Sequence, residues 1–341
     1  MNDQRHRRLL WQVPFLTLLV IGTVLIIRQQ HSMPYQKHTG LIFGTVYNVT
    51  YQSSDNLQQQ IEAELKKVDA EFSMFNDTST VSRINRGEHP RLSDSFCQLF
   101  QLAQDVARKT DGAFDITVAP LVNAWGFGFK HEQMPTQQQV DSLRQLVDYQ
   151  SLRLHDKHLV TGKKGMMVDF SAIAKGYGVD AVSRLLERND VKNYMVEIGG
   201  EVTTRGINPQ RVPWKIGVTK PTDDSLNIGG EIITVLNVTD KSMATSGNYR
   251  NFYYKGGRKY AHTIDPRTGH PVQHSLLSAT VLASDCATAD AYATSFMVLG
   301  IDGARRILEQ DKSLMAYLIY TNDKGELSVW YSPSLQDKLV E

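Results

Sequence analysis

Asp290 and Thr294 stand four residues apart in Ala289-Asp290-Ala291-Tyr292-Ala293-Thr294. On a helix, a carboxylate and a hydroxyl at that spacing project from one face about one turn apart. A hard divalent cation accepts both oxygens, and magnesium suits the pair because it takes few protein ligands and keeps positions for phosphate oxygens and water. The same spacing also serves a first-turn acid favoured by the helix dipole beside a threonine packed in the core. A second group is Asp169-Phe170-Ser171-Ala172-Ile173-Ala174-Lys175-Gly176. It reads as a loop entering a helix near Ser171, with Ser171 as the cap, Asp169 before it and Lys175 one turn in. Free amides and an ammonium at one helix end suit an anion such as phosphate, and Gly176 and Gly178 allow a ligand or another backbone to come close. The plainer alternative is a capped helix with a solvated lysine. No Walker-type phosphate loop is present, since Gly162-Lys163-Lys164-Gly165 lacks the first glycine and the hydroxyl after lysine.

Asp111-Gly112-Ala113-Phe114-Asp115-Ile116-Thr117 and the following Trp125-Gly126-Phe127-Gly128-Phe129 are dense in aromatic residues and glycine. Such a surface stacks a planar ring system, although cores and turns use the same residues. Thr245 to Arg250 and His262 to Pro266 add a hydroxyl, Ser246, and an imidazole, His262, able to move protons near neutral pH.

The 341 residues are 41% apolar, enough to bury a full-size core. Lysine and arginine total 37 against 36 acids, so no net field favours a polyphosphate backbone and nucleic acid is a poor partner. Cys97 and Cys286 have no metal-ligand spacing, which removes zinc sites and disulfide scaffolds as organising devices and leaves a single disulfide open. Leu9 to Ile27 is an apolar run long enough to cross a bilayer as a helix. Arg5, Arg7 and Arg8 precede it and Arg28 follows, which keeps the N-terminus in the cytoplasm and puts the remainder outside. No small-x-small cleavage site follows, favouring an uncleaved single-pass anchor over a signal peptide. The expected organisation is an N-terminus and anchor over residues 1–30, a linker over 31–40 and a catalytic domain over 41–335.

Residues 45–51 alternate as a strand does. Ile61, Leu65, Val68 and Phe72 form the stripe of a helix from about Leu57 to Phe72, and Phe96, Leu99, Ala103, Val106 and Ala107 that of a helix across Ser95 to Lys109, which Thr110-Asp111-Gly112 stops. Thr136 and Gln139 form a capping box before Val140, Leu143 and Val147. Strands are expected at Tyr194–Ile198, Trp214–Val218, Ile232–Val238, Ser278–Ala283, Leu314–Tyr320 and Leu327–Trp330, with helices from Ser171 to Asn189, Ala287 to Leu299 and Ala304 to Glu309. Without strict βαβ alternation, the class is α+β. Ile-Gly-Gly-Glu ends at both Glu201 and Glu231, but its flanks do not repeat, so no internal duplication is read from it.

Taken in order, several segments resemble the ApbE family of FAD:protein FMN transferases. They are Gly44-Thr45-x-Tyr47, Ser79 to Asn85, Asp111 to Thr117 continuing through Gly128, Asp169 to Gly178, Val196 to Glu201, Thr245 to Arg250, His262 to Gly269, and Ala289 to Thr294. The resemblance implies one large T-fold-related α+β domain. It also implies magnesium-dependent transfer of FMN from FAD to a threonine or serine hydroxyl of a target protein, with release of AMP. On the matching positions it implies that Asp290, Thr294 and the Ala172 carbonyl hold magnesium. Phe43, Phe75, Ala113, Phe114, Asp115, Asp169, Lys175 and Ile264 would line the FAD site, and Ser246 and His262 would help deprotonate the acceptor. Phe43 replaces a common methionine, and Phe75 replaces a tyrosine whose hydroxyl is lost, which bears on the balance between transfer and hydrolysis. The implied partners are FAD and extracytoplasmic redox subunits such as those of ion-pumping NADH:quinone complexes. A magnesium-dependent FAD pyrophosphatase and a non-catalytic FAD binder are the rival readings.

Overall fold

The structure, a computed structural model, describes residues 13–24, 33–128, 134–221, 231–248, 252–255 and 258–340. Its centre is an eight-stranded antiparallel sheet: β1 (Tyr35–Ile42), β2 (Thr45–Gln52), β3 (Tyr194–Ile198), β4 (Glu201–Arg205), β5 (Ser242–Gly247), β6 (Leu276–Ala283), β7 (Met315–Thr321) and β8 (Leu327–Tyr331). The strands lie side by side in chain order, with helices and smaller sheets inserted between sequence neighbours. Four helices matter for the site: α1 (Gln58–Phe72), α2 (Asp94–Lys109), α3 (Ala174–Arg188) and α4 (Cys286–Gln310). α4 packs on β5 and β6, α3 on α4, and α1 on α3. The fold is thus a mixed α/β single domain, in agreement with the α+β expectation.

The stripes on α1 and α2 are buried as their spacing requires, with Ile61, Leu65, Val68 and Phe72 on one and Phe96, Leu99, Ala103, Val106 and Ala107 on the other. Phe72, Phe96 and Phe170 meet with ring centroids 5.2–5.3 Å apart and tie α1, α2 and the approach to α3 into one core. The capping box at Thr136 and Gln139 is formed. Gly300, at φ 71°, kinks α4 where the sequence suggested an end, and the helix resumes beyond it.

Two expectations need correction, and the question left open about the cysteines is answered. Residues 35–40, read as linker, belong to edge strand β1, paired along β2 from Tyr35↔Gln52 to Ile42↔Thr45. Its polar residues hid it: His38 meets the Tyr51 hydroxyl at 3.0 Å and Thr39 donates to Asn48 at 2.9 Å, partners that only the folded sheet supplies. α3 begins at Ala174, and Ser171 does not cap it; the Ser171 amide donates to Asp169 Oδ1 at 2.7 Å instead. Buried Phe170 and Ile173 hold a preceding turn, and an amide of the first helical turn, Gly176 N–H, finds its acceptor on α4. Cys97 and Cys286 are both free thiols.

Residues 13–24 are helical with Phe15, Leu16, Leu18, Leu19, Val20 and Ile21 exposed. Among the described residues no helix is long and apolar enough to cross a membrane, and the remainder of Leu9 to Ile27 lies outside them. Phe129, Tyr249 and Arg250 also lie outside the described residues.

Candidate functional site

α3 and α4 cross at close range because Gly176 has no side chain. A Cβ there would sit 2.3 Å from the Cys286 carbonyl oxygen and 2.9 Å from Ala287 Cα. The close approach offered by this glycine is therefore to a backbone. It lets Gly176 N–H donate to Asp290 Oδ2 at 3.0 Å, so the helix-start anion is the protein's own carboxylate. Asp180 strengthens the joint, accepting from the Cys286 and Ala287 amides at 2.8 Å each and so capping α4 from α3.

Where these helix starts meet the sheet lies a cavity of about 430 Å³. It is lined by Phe75, Ala113, Phe114, Asp115, Asp169, Ala172, Lys175, Ser246, His262, Ile264, Asp290 and Thr294, all of them anticipated from sequence. Phe43 is not among its lining residues. Its ring packs on Gly178, within 2.7 Å of where a Cβ would stand, and is partly buried among apolar core residues. Gly178 thus admits a side chain of the protein rather than a ligand. Phe75 is the opposite case, 72% exposed at the cavity.

The polar end gathers Lys175, Glu201 and Asp290. Lys175 Nζ lies 2.5 Å from Glu201 Oε1 and 3.9 Å from Asp290 Oδ1. Burial pushes the Asp290 carboxyl up to about 7, with the Lys175 charge acting the other way and Glu201 adding to the rise. Burial works against the Lys175 charge, but the Asp290 and Glu201 carboxylates outweigh it and hold the ammonium protonated beyond its ordinary range. Thr294 Oγ1 is 3.3 Å from Ser246 Oγ, which joins the helix pair Asp290 and Thr294 to the end of β5. Beside Ser246, Thr245 shares a hydrogen bond with Thr280 at 2.9 Å. His262 faces the edge of Phe127, with ring centroids 6.4 Å apart.

The other two acids shape the walls. Asp115 Oδ1 accepts from the Thr117 amide and hydroxyl at 2.7 and 2.6 Å, and Oδ2 from the Tyr149 amide at 3.1 Å. Burial raises it to about 6 while those donors pull it back. Asp169 is raised by burial and relieved by Ser171, and its amide donates to the Ile116 carbonyl at 2.7 Å, tying the Asp169 loop to the Asp115 loop.

Glu201 was missed as a site residue. Its only signal was its place in Val196 to Glu201, and its ion pair with Lys175 spans two elements that no sequence period connects. Phe127 and Thr245, from two segments singled out in the sequence, also line the cavity, as do Met74, Asn123 and Val298, which are ordinary-looking positions.

A cavity lined by Phe75, Phe114 and Phe127 and by a half-buried lysine between two carboxylates defines an enzyme site for a ligand with a flat apolar part and an anionic part. The ApbE family model matches residues 43–319. An FAD:protein FMN transferase of Haemophilus influenzae is 36% identical, over 95% of this chain and 98% of its own. One of Escherichia coli K12 is 33% identical over 84% and 83%. The solved flavin transferase ApbE of Vibrio cholerae superposes with a TM-score of 0.81 at 33% identity, covering 90% of this chain and all of the other. The chain belongs to the ApbE family, and with it to the FAD:protein FMN transferases, a class of enzyme.

Proposed function

We propose that the cavity binds FAD with a magnesium ion and that the enzyme moves FMN onto a threonine or serine hydroxyl of an acceptor protein, releasing AMP. The observation that carries this reading is the meeting of Asp290 and Thr294 with Lys175 in one cavity that Phe75, Phe114 and Phe127 also line. In the reaction the acceptor oxygen attacks the FMN phosphorus. A new P–O bond forms, the bridging P–O bond to AMP breaks, and AMP departs with its electron pair. The proton of the acceptor hydroxyl passes to His262, directly or by way of Ser246, which is hydrogen-bonded to Thr294. Lys175 offers a fixed positive charge to the phosphates, while Phe75 and Phe114, with Ala113 and Ile264, supply an apolar bed for the flavin.

Asp290, Thr294 and the Ala172 carbonyl are the groups that would hold magnesium. The donor set fits a hard cation in its chemistry, since a carboxylate, a hydroxyl and a carbonyl are all oxygen donors. When bound, the ion would neutralise charge on the bridging phosphates. The N-terminal run is proposed as an inner-membrane anchor with the globular part outside the cytoplasm. This is supported by the exposed apolar side chains of residues 13–24 and the arginines before them. The proposed acceptors are accordingly extracytoplasmic redox subunits such as those of NADH:quinone complexes.

The test is to incubate the protein with FAD, magnesium and an apo flavin-carrying subunit, then weigh the subunit and measure AMP and free FMN. A heavier subunit with equimolar AMP is expected. Free FMN and AMP with an unchanged subunit would mean a pyrophosphatase, and intact FAD a binder.

A further inference from the structure

Glu201 lines the same cavity and takes no part in the chemistry just described. It is 3% exposed, and its Oε2 has no hydrogen-bond partner among the described residues. Its Oε1 meets Lys175. A carboxylate this buried is tolerated only when paired, and Lys175 is its partner. It stands at the first position of β4, directly after the Gly199-Gly200 turn at φ 62° and 105°, where the Gly200 amide donates to Glu197 and the Gly199 amide to Val46. Its backbone is therefore fixed by the sheet, and with it the point to which Lys175 is drawn.

Lys175 has a second anionic neighbour, and the two distances are unequal: 2.5 Å to Glu201 and 3.9 Å to Asp290. Asp290 divides its two oxygens, with Oδ2 taken by Gly176 N–H and Oδ1 facing the lysine across that gap. The cavity's other acids are engaged by their own loops, Asp115 through Thr117 and Tyr149 and Asp169 through Ser171. Without the Glu201 carboxylate, Asp290 Oδ1 would be the nearest anion left to the ammonium.

We infer that Glu201 is a positioning residue: it holds the Lys175 ammonium back from Asp290, so that Asp290 Oδ1 stays open to a divalent cation and Lys175 keeps a donor for a ligand phosphate. This rests on the reading of Asp290 and Thr294 as cation ligands. Replacing Glu201 by glutamine lets the lysine close on Asp290 and compete with the cation; removing the lysine as well relieves the competition.

The measurement is manganese affinity of the full chain without FAD, by electron paramagnetic resonance, for the parent, E201Q, K175M, E201Q/K175M, E201D and D290A. E201Q should weaken binding roughly tenfold, the scale of a lost outer partner of a metal ligand. E201Q/K175M should return to within about threefold of the parent, and E201D should keep the parent's affinity on the same scale. Unchanged binding in E201Q, or a double variant as weak as E201Q, overturns the inference, the latter because a merely structural glutamate would not be rescued by deleting its partner. Should E201Q fail to fold, K175M decides: binding at least as tight as the parent supports the inference and weaker binding overturns it. If D290A binds manganese as the parent does, the cation reading itself falls and this inference with it.

Discussion

At the scale of single residues, the site depends on side chains whose roles differ in kind. Asp290 sits at 2% exposure with one oxygen already satisfied by the protein. Asp290→Ala should stay folded yet lose transfer activity by more than the roughly 10- to 100-fold that removing an outer partner of a metal ligand costs. Normal turnover of that variant at limiting magnesium would remove the metal assignment. His262→Ala should bind FAD as the parent does while transferring FMN roughly 100- to 10,000-fold more slowly, the range for losing a general base. Parallel losses of FAD affinity and rate would instead make His262 a wall of the binding site. Most of these residues were legible through the ordered motifs that resemble the ApbE family; spacing alone, a carboxylate and hydroxyl at i and i+4 or an acid and lysine around a helix start, left a plain structural alternative open at each. The surroundings of Glu201 and Phe43 were not legible for one reason: each meets a partner remote in sequence, Lys175 for one and Gly178 for the other.

At the scale of elements, the joint between α3 and α4 sets the distance between Lys175 and Asp290. Gly176→Ala would drive a Cβ into the Cys286 carbonyl, so the helices must part. The expected cost is roughly 1–3 kcal/mol in urea unfolding, as for other overpacked interiors, together with weakened transfer. Unaltered stability and rate would mean that the joint is slack. Asp180 gives this joint a pH dependence of known sign. Burial raises its carboxyl to about 7 in the folded protein, against an ordinary value near 4 once unfolded. Between those values the folded state holds the proton that the unfolded state has released, so this contribution to stability is lost as pH rises from about 4 to about 7. The melting advantage of the parent over Asp180→Asn should therefore shrink across that window; a constant or widening difference would contradict it. Elements with an apolar stripe, such as α1 and α2, were readable from sequence. β1 and β5 were not: β1 is polar from Gln36 to Gly40, and β5 is built mostly of small and hydroxyl residues, with Thr245 bonded to Thr280 on β6. Their membership in the sheet comes from pairing rather than from a hydrophobic period.

At the scale of the whole molecule, the near balance of 37 basic and 36 acidic residues leaves recognition to the cavity rather than to a long-range field. The proposed anchor adds a vectorial element, since a protease added to intact spheroplasts should digest the globular part and one added to inside-out vesicles should not; the reverse pattern would overturn the topology. The central claim is that Asp290 and Thr294, one turn apart at the start of α4, hold a cation against the phosphates of FAD. A crystal soaked with FAD and manganese tests it most directly. An anomalous peak at roughly metal–oxygen bonding distance, near 2.1 Å from the Asp290 carboxylate and the Thr294 hydroxyl and touching a phosphate oxygen, is the predicted result. Bound FAD whose phosphates lie away from both side chains, with no peak beside them, would contradict it.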